Sequence, residues 1–312
     1  MKKSKMNTKT LVIGGGGFIG AHLVAKLLDT GRSVTVLGRS SAPHFLLPRA
    51  VNYCVGNFAD HSILDPLLVE HQEIIHLAYA TVPNTSFNDP LTDLLDNLPP
   101  AVRLFSAVTQ WGGRLVLVSS GGTVYGEANN TPISEDHATN PISPYGVTKL
   151  MLEKYAHLYA NTHGLQVICV RPGNAYGIGQ RPNIGQGFIS SAMSLILKDL
   201  PVKVFGERGT IRDYIYVSDL ADGIISALDD GKPSEIYNIG SGIGRTNMDV
   251  IEAISSLLIE TGIKVRVEHA LPREFDVNVN ILDSAKLKLH SGWEPKVDFH
   301  EGLLKTLEWL KG

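Results

Sequence analysis

Seven residues near the amino terminus, Gly14-Gly15-Gly16-Gly17-Phe18-Ile19-Gly20, constrain this fold more than any other stretch. They follow a short apolar run, Thr10-Leu11-Val12-Ile13. They open a segment in which Ile19, Leu23, Val24, Leu27 and Leu28 recur at helical spacing. The run satisfies both G-x-G-x-x-G and G-x-x-G-x-x-G. Glycine permits the tight turn and lets backbone N–H groups approach a pyrophosphate, and the helix start adds unsatisfied donors and partial positive charge. A bare strand-to-helix turn is the plainer reading, but the strand–loop–helix context predicts dinucleotide binding.

The same alternation continues. SVTVLG (33–38), VNYCVG (51–56), EIIHLAYA (73–80), RLVLVSS (114–120) and LQVICVRPG (165–173) read as strands. Helical patterns separate most of them, at 61–71, 104–113 and 143–164. Apolar strands alternating with helices predict a parallel sheet covered on both faces, a Rossmann-type doubly wound α/β domain. Beyond Gly173 the texture turns loop-rich, and a smaller α/β lobe is expected. YIYVSDLADGIISALDDG (214–231) and EIYNIGSG (235–242) look like a strand–helix–strand that rejoins the main sheet. The expected division is 1–173 plus 214–242 for the dinucleotide, and 174–213 plus 243–312 for the substrate. Pro99-Pro100 predicts a kink, or a helix that begins near Pro99.

Composition narrows the class. The chain has 312 residues, 43% hydrophobic and 19% charged, with 28 basic against 31 acidic side chains. That is enough apolar material for a large core, and the weak negative balance argues against nucleic acid as a partner. The apolar stretch LVI after the basic start is too short for a signal peptide, and no run approaches a membrane span. Cys54 and Cys169 lie in separate apolar runs, too few and too far apart for a zinc site or disulfide framework. No metal is expected, and reduced cysteines point to the cytoplasm.

Cofactor choice turns on the end of the second strand. A carboxylate there would suit the ribose hydroxyls of NAD. This chain has Leu37-Gly38-Arg39-Ser40, and Arg39 can pair with a 2′-phosphate, which tilts the reading of NAD(P) toward NADP. A solvated loop arginine is the alternative. Asn57 and Phe58, after the third strand, are placed to line an adenine pocket.

Tyr145-Gly146-Val147-Thr148-Lys149 lies in the first turns of the long helix, so phenol and ammonium share a face. A free tyrosine is a poor base at neutral pH. A neighbouring cation favours its phenolate, which can take a proton from a sugar hydroxyl and return it. By itself Y-x-x-x-K is common. About 125 residues beyond a dinucleotide loop, and just past Ser119-Ser120, it reads as catalytic.

GGGGFIG, SSGGTVYG (119–126), SPYGVTK (143–149), RPGNAYG (171–177) and RDYIYVSDLADG (212–223) together resemble the extended short-chain dehydrogenase/reductases. The similarity is greatest to the UDP-glucose 4-epimerase-like enzymes of the NAD-dependent epimerase/dehydratase family. It covers nearly the whole chain, in order and spacing. It implies that Tyr145 is the acid/base and that Lys149 lowers its pKa and holds the nicotinamide ribose. The family's third catalytic residue, a Ser or Thr four places before the tyrosine of the VYG segment, falls on Gly121. Thr123 or Ser120 is expected to replace it, with Thr123 favoured by strand alternation and a packing role its alternative. Asn174, Arg212 and Arg273 match residues on the substrate diphosphate. Asn97 matches an asparagine near the catalytic helix, and Phe275 stands where the epimerases often carry glycine. The cofactor set is expected to comprise Gly14, Gly17, Phe18, Ile19, Gly20, Arg39, Asn57, Phe58, Ala78, Tyr145, Lys149 and Pro172.

The resemblance implies a nucleotide-sugar 4-epimerase, most simply acting on a UDP-hexose through a 4-keto sugar, and a homodimer built on the helices carrying 98–111 and 145–162. An NADPH-dependent nucleotide-4-keto-sugar reductase fits the same motifs, and Arg39 favours it. A dinucleotide-binding sensor on the same fold is the non-enzymatic reading.

Overall fold

The computed structural model describes residues 7–182, 187–273 and 276–312. Its centre is a sheet of seven parallel strands: β1 (Lys9–Ile13), β2 (Ser33–Gly38), β3 (Asn52–Val55), β4 (Glu73–His76), β5 (Arg114–Val118), β6 (Gln166–Pro172) and β10 (Ile236–Ile239). They lie in the order β10-β6-β5-β4-β1-β2-β3. The chain builds outward from β1 through β2 and β3. It then crosses back to β4 and builds the other way. The crevice at the carboxyl ends of β1 and β4 is where such sheets hold ligands.

Alternation along each strand decides which helix covers it. Val12, Val36, Ile75 and Val116 face α1 (Phe18–Asp29) and α7 (Val217–Asp230). Leu11, Ile13, Ile74 and Leu115 face α2 (His61–Glu70), α4 (Pro90–Trp111) and α5 (Pro144–His163). The expected three-layer Rossmann architecture is therefore present.

Two expectations of detail are corrected. α4 is one helix of 22 residues that runs through Pro99 and Pro100, so no helix begins near Pro99. The carbonyls that these prolines cannot bond belong to Leu95 and Asp96, both exposed, so water can satisfy them. The strand before α7, β9 (Ile211–Tyr216), does not join the main sheet. It pairs in parallel with β7 (Asn174–Tyr176) and β13 (Val279–Asn280), and antiparallel with β11 (Gly244–Arg245). Its alternation explains the switch. Ile215 enters the main core, whereas Tyr214 and Tyr216 enter a separate one beneath α6 (Phe188–Leu197), α8 (Asn247–Leu257) and α10 (Phe299–Lys311). A two-stranded parallel sheet of β8 (Val202–Phe205) and β12 (Val267–Ala270) closes that smaller lobe, and the short α3 (Pro83–Ser86) lies between β4 and α4.

Candidate active site

The glycine loop sits at the crevice. Gly14 has φ +86°, and a Cβ there would meet the Ala78 backbone N at 2.7 Å. The two loops touch because the N–H groups of Leu77 and Ala78 both donate to the Ile13 carbonyl, at 2.9 and 3.0 Å. No side chain caps the start of α1 at Gly17, so its N–H groups remain for an anion. Gly14, Gly17, Arg39, Asn57, Phe58 and Ala78 line one groove of about 570 Å³. Gly20 lines neither cavity; it lets α1 pack on Gly15.

The segment after β2 folds across this groove. The His44 N–H donates to the Gly16 carbonyl (3.1 Å), and Arg181, beyond β7, donates to the His44 carbonyl (2.9 Å). Tyr53 ties the root of the segment by donating to the Ser40 carbonyl (3.0 Å).

Leu77 and Tyr79 also line a second cavity, of about 500 Å³. Around it lie Phe18, Ile19, Ser120, Thr123, Tyr145, Lys149, Pro172, Asn174 and Arg212. The local sequence places the tyrosine–lysine pair. Ser143 caps α5 by accepting from Gly146 N at 3.1 Å, and Pro144 starts the helix. The Tyr145 N–H, otherwise an orphan of the first turn, donates to Ser86 Oγ at 3.2 Å. Lys149, four residues on, is 4% exposed and donates to the Val118 carbonyl at 3.0 Å.

Burial dominates the charges. It pushes the Tyr145 phenol up, Asp93 adds to that, and a hydrogen bond with Ser120 opposes both. It pushes Lys149 down to about 7, against the pull of Glu153 and Asp93. Glu153 is itself paired with Arg171, Nη2 to Oε2 at 2.6 Å, with both side chains buried. The structure thus brings Ser120 to Tyr145. A Cβ on Gly121 would meet Leu282 Cδ1 at 2.5 Å and the Arg171 carbonyl at 2.9 Å, away from the cavity. Thr123 lines the cavity, and its Oγ1 is buried without a hydrogen-bond partner.

Arg212 lies half-buried on the cavity wall beside Asp276, and among the described residues it makes no ion pair. Desolvation lowers its pKa, a cost that a bound anion would relieve. Arg273 lies outside the cavity lining and stacks on the Phe205 ring, 3.7 Å from its centroid. Phe275 is outside the described residues. Asn97 is buried and supports the loop after β4, accepting from Ala80 N at 2.8 Å.

Sequence reasoning missed Tyr79, Asp93 and Ser86. For Tyr79 the available signal was its place just past a strand's carboxyl end.

The model of the NAD dependent epimerase/dehydratase family matches residues 10–240. The chain belongs to this family. It is 33% identical to a UDP-glucose 4-epimerase of Mycolicibacterium smegmatis, over 97% of this chain and 98% of that one. Its fold superposes on the UDP-glucose 4-epimerase of Thermotoga maritima, solved with UDP-glucose, with TM-score 0.90 and 32% identity over 97% and 98% of the two chains. The Thermus thermophilus UDP-glucose 4-epimerase complex with NAD gives TM-score 0.89 and 33% identity over 97% and 99%. The dinucleotide that the family name implies fits the residues present: a turn with no room for a Cβ against Ala78, an uncapped helix start and a groove along β2 and β3.

Proposed function

We propose that this protein is a nucleotide-sugar 4-epimerase acting on a UDP-hexose. The observation that carries the reading is the meeting of Tyr145, Ser120 and Lys149 on the wall of a cavity adjoining the glycine-loop groove. A bound nicotinamide dinucleotide supplies a reversible hydride acceptor. The protein's part is proton handling and orientation. Tyr145 takes the proton of the sugar 4-hydroxyl and returns it, with Ser120 holding the phenol oxygen and Lys149 adding positive field. Thr123 offers a second hydroxyl to the sugar. Asn174, Arg212 and, from its seat on the Phe205 ring, Arg273 take the diphosphate. The division of labour is 1–173 plus 214–242 for dinucleotide, and 174–213 plus 243–312 for the sugar nucleotide.

The test is incubation with UDP-glucose, UDP-galactose, their N-acetylated forms and UDP-uronates, without added reductant, followed by proton NMR. Interconversion at C4 without net cofactor consumption supports the reading. Turnover confined to 4-keto sugars, with stoichiometric NADPH oxidation, overturns it in favour of a reductase.

That second reading rests on Arg39. It lines the groove beside Gly38, Ser40 and His44, and among the described lining residues the one carboxylate is Asp96, on α4. This lining suits NADP. Exposed Leu91, Leu95, Tyr155 and Leu158 on the paired α4 and α5 support a homodimer, while Leu152 and Ala156 are core. The unpaired Cys54 and Cys169 suit the cytoplasm. Among the described residues no helix is long and apolar enough to cross a membrane.

A further inference from the structure

Lys149 is a buried ammonium with little to compensate it. Among the described residues it makes no ion pair. It donates to the Val118 carbonyl and lies over two aromatic rings. The nearer ring belongs to Tyr79, whose centroid lies 4.1 Å from Nζ; that of Tyr145 lies at 5.6 Å. The Tyr79 ring also meets the Tyr145 ring edge-on, with centroids 4.8 Å apart at 65°. Its hydroxyl donates to Asp93 at 3.3 Å. One aromatic side chain therefore touches both members of the pair and is anchored from α4.

We propose that Tyr79 is a positioning residue for the tyrosine–lysine pair: its π face seats the Lys149 ammonium, and its edge sets the plane of Tyr145. This rests on the acid/base roles given above to those two residues. The chemistry favours a ring over a carboxylate at this place. A contacting carboxylate would hold the ammonium but cancel its field at the phenol. A neutral π face attracts the cation through its quadrupole and leaves the net charge intact.

The other groups facing Lys149 are accounted for. Asp93, from α4, accepts from Tyr79 and Thr81. Glu153, one turn along α5, is held by Arg171 of β6. His76, at the end of β4, is buried, pushed down to about 3 and packed against Phe58, and so is neutral.

The test titrates Lys149 directly, without substrate. Protein carrying ε-13C-lysine is followed by NMR against pH, with Lys149→Met assigning the signal. Position 79 is replaced by Phe and then by mono-, di- and trifluorinated Phe, which weaken the π face at nearly constant shape. The lysine midpoint should stay within a few tenths of a pH unit in Tyr79→Phe and fall stepwise, by roughly one unit at trifluoro-Phe. Tyr79→Leu should fall as far. A midpoint unmoved across the fluorinated series overturns the proposal, whether or not Tyr79→Leu folds. The epimerase reading stands apart from this result. Absence of sugar turnover with a falling midpoint would remove the reaction and leave the seat in place.

Discussion

The Ser120 and Tyr145 side chains meet on the wall of one cavity, although they lie on separate elements, and the Ser120 hydroxyl works against the burial that pushes the phenol's pKa up. Replacing Ser120 by Ala should lower kcat for the C4 interconversion about 10- to 100-fold with little change in KM, because the hydroxyl acts on the oxygen that carries the proton. Thr123→Val should raise KM more than it lowers kcat. Steady-state kinetics of both variants checks the split. The opposite split would exchange their roles.

Position 121 supplies a converse test. Gly121→Ser adds a hydroxyl at the place where the sequence resemblance implies one, yet its Cβ would press on Leu282 and the Arg171 carbonyl. The variant should lose about 1–3 kcal/mol of stability and gain no activity. Urea unfolding and kcat report the two halves.

Arg212 is a desolvated cation without an ion-pair partner among the described residues. Arg212→Leu should raise the KM for a UDP-sugar about 10- to 100-fold and leave the protein at least as stable, since a buried charge is removed along with its function. Arg273→Ala, which takes a cation off the Phe205 ring outside the cavity lining, should cost less than about tenfold. Calorimetric titration with UDP measures both.

Lys149 links stability to pH. Its pKa falls from an ordinary 10.5 to about 7 on folding. Below pH 7 both states carry the proton, and the folded protein bears the cost of the buried charge. Between about 7 and 10.5 the unfolded chain binds the extra proton, so stability rises with pH. Lys149→Met, in protein stripped of dinucleotide, should therefore be more stable than wild type by up to a few kcal/mol at pH 6, and the gap should shrink toward pH 10. Thermal unfolding across that range decides it; a gap that widens with pH refutes the account.

Arg39→Ala should weaken NADP+ binding at least tenfold while moving NAD+ by less than about twofold, because a 2′-phosphate is the one group that distinguishes them. Equal losses would remove the case for NADP. The identity of a co-purifying dinucleotide bears on the same point.

Local spacing made much of this site legible. A glycine turn between strand and helix, and an i, i+4 pair at a capped helix start, are settled within a few residues. What stayed hidden was decided at long range. β9 was read as a main-sheet strand because a short β-rich run carries no mark of its partners, and its partners are β7, β11 and β13. The double proline reads as a break unless one knows that Leu95 and Asp96 face water. Tyr79, from the loop after β4, and Ser86, from α3, reach the pair from about 60 residues before it, and no periodicity records such convergence.

The segment that runs from Arg39 over the glycine turn is fastened to Gly16 at one point and to Arg181 at another. The segment also lines the groove through Arg39, Ser40 and His44, so its two ties should slow the escape of a dinucleotide held there. An enzyme that returns its redox partner to the starting state each cycle loses nothing by such slow escape; one that consumes a reductant would have its rate capped by it. Residence time of the dinucleotide, measured against turnover, thus separates the two chemistries that share these motifs.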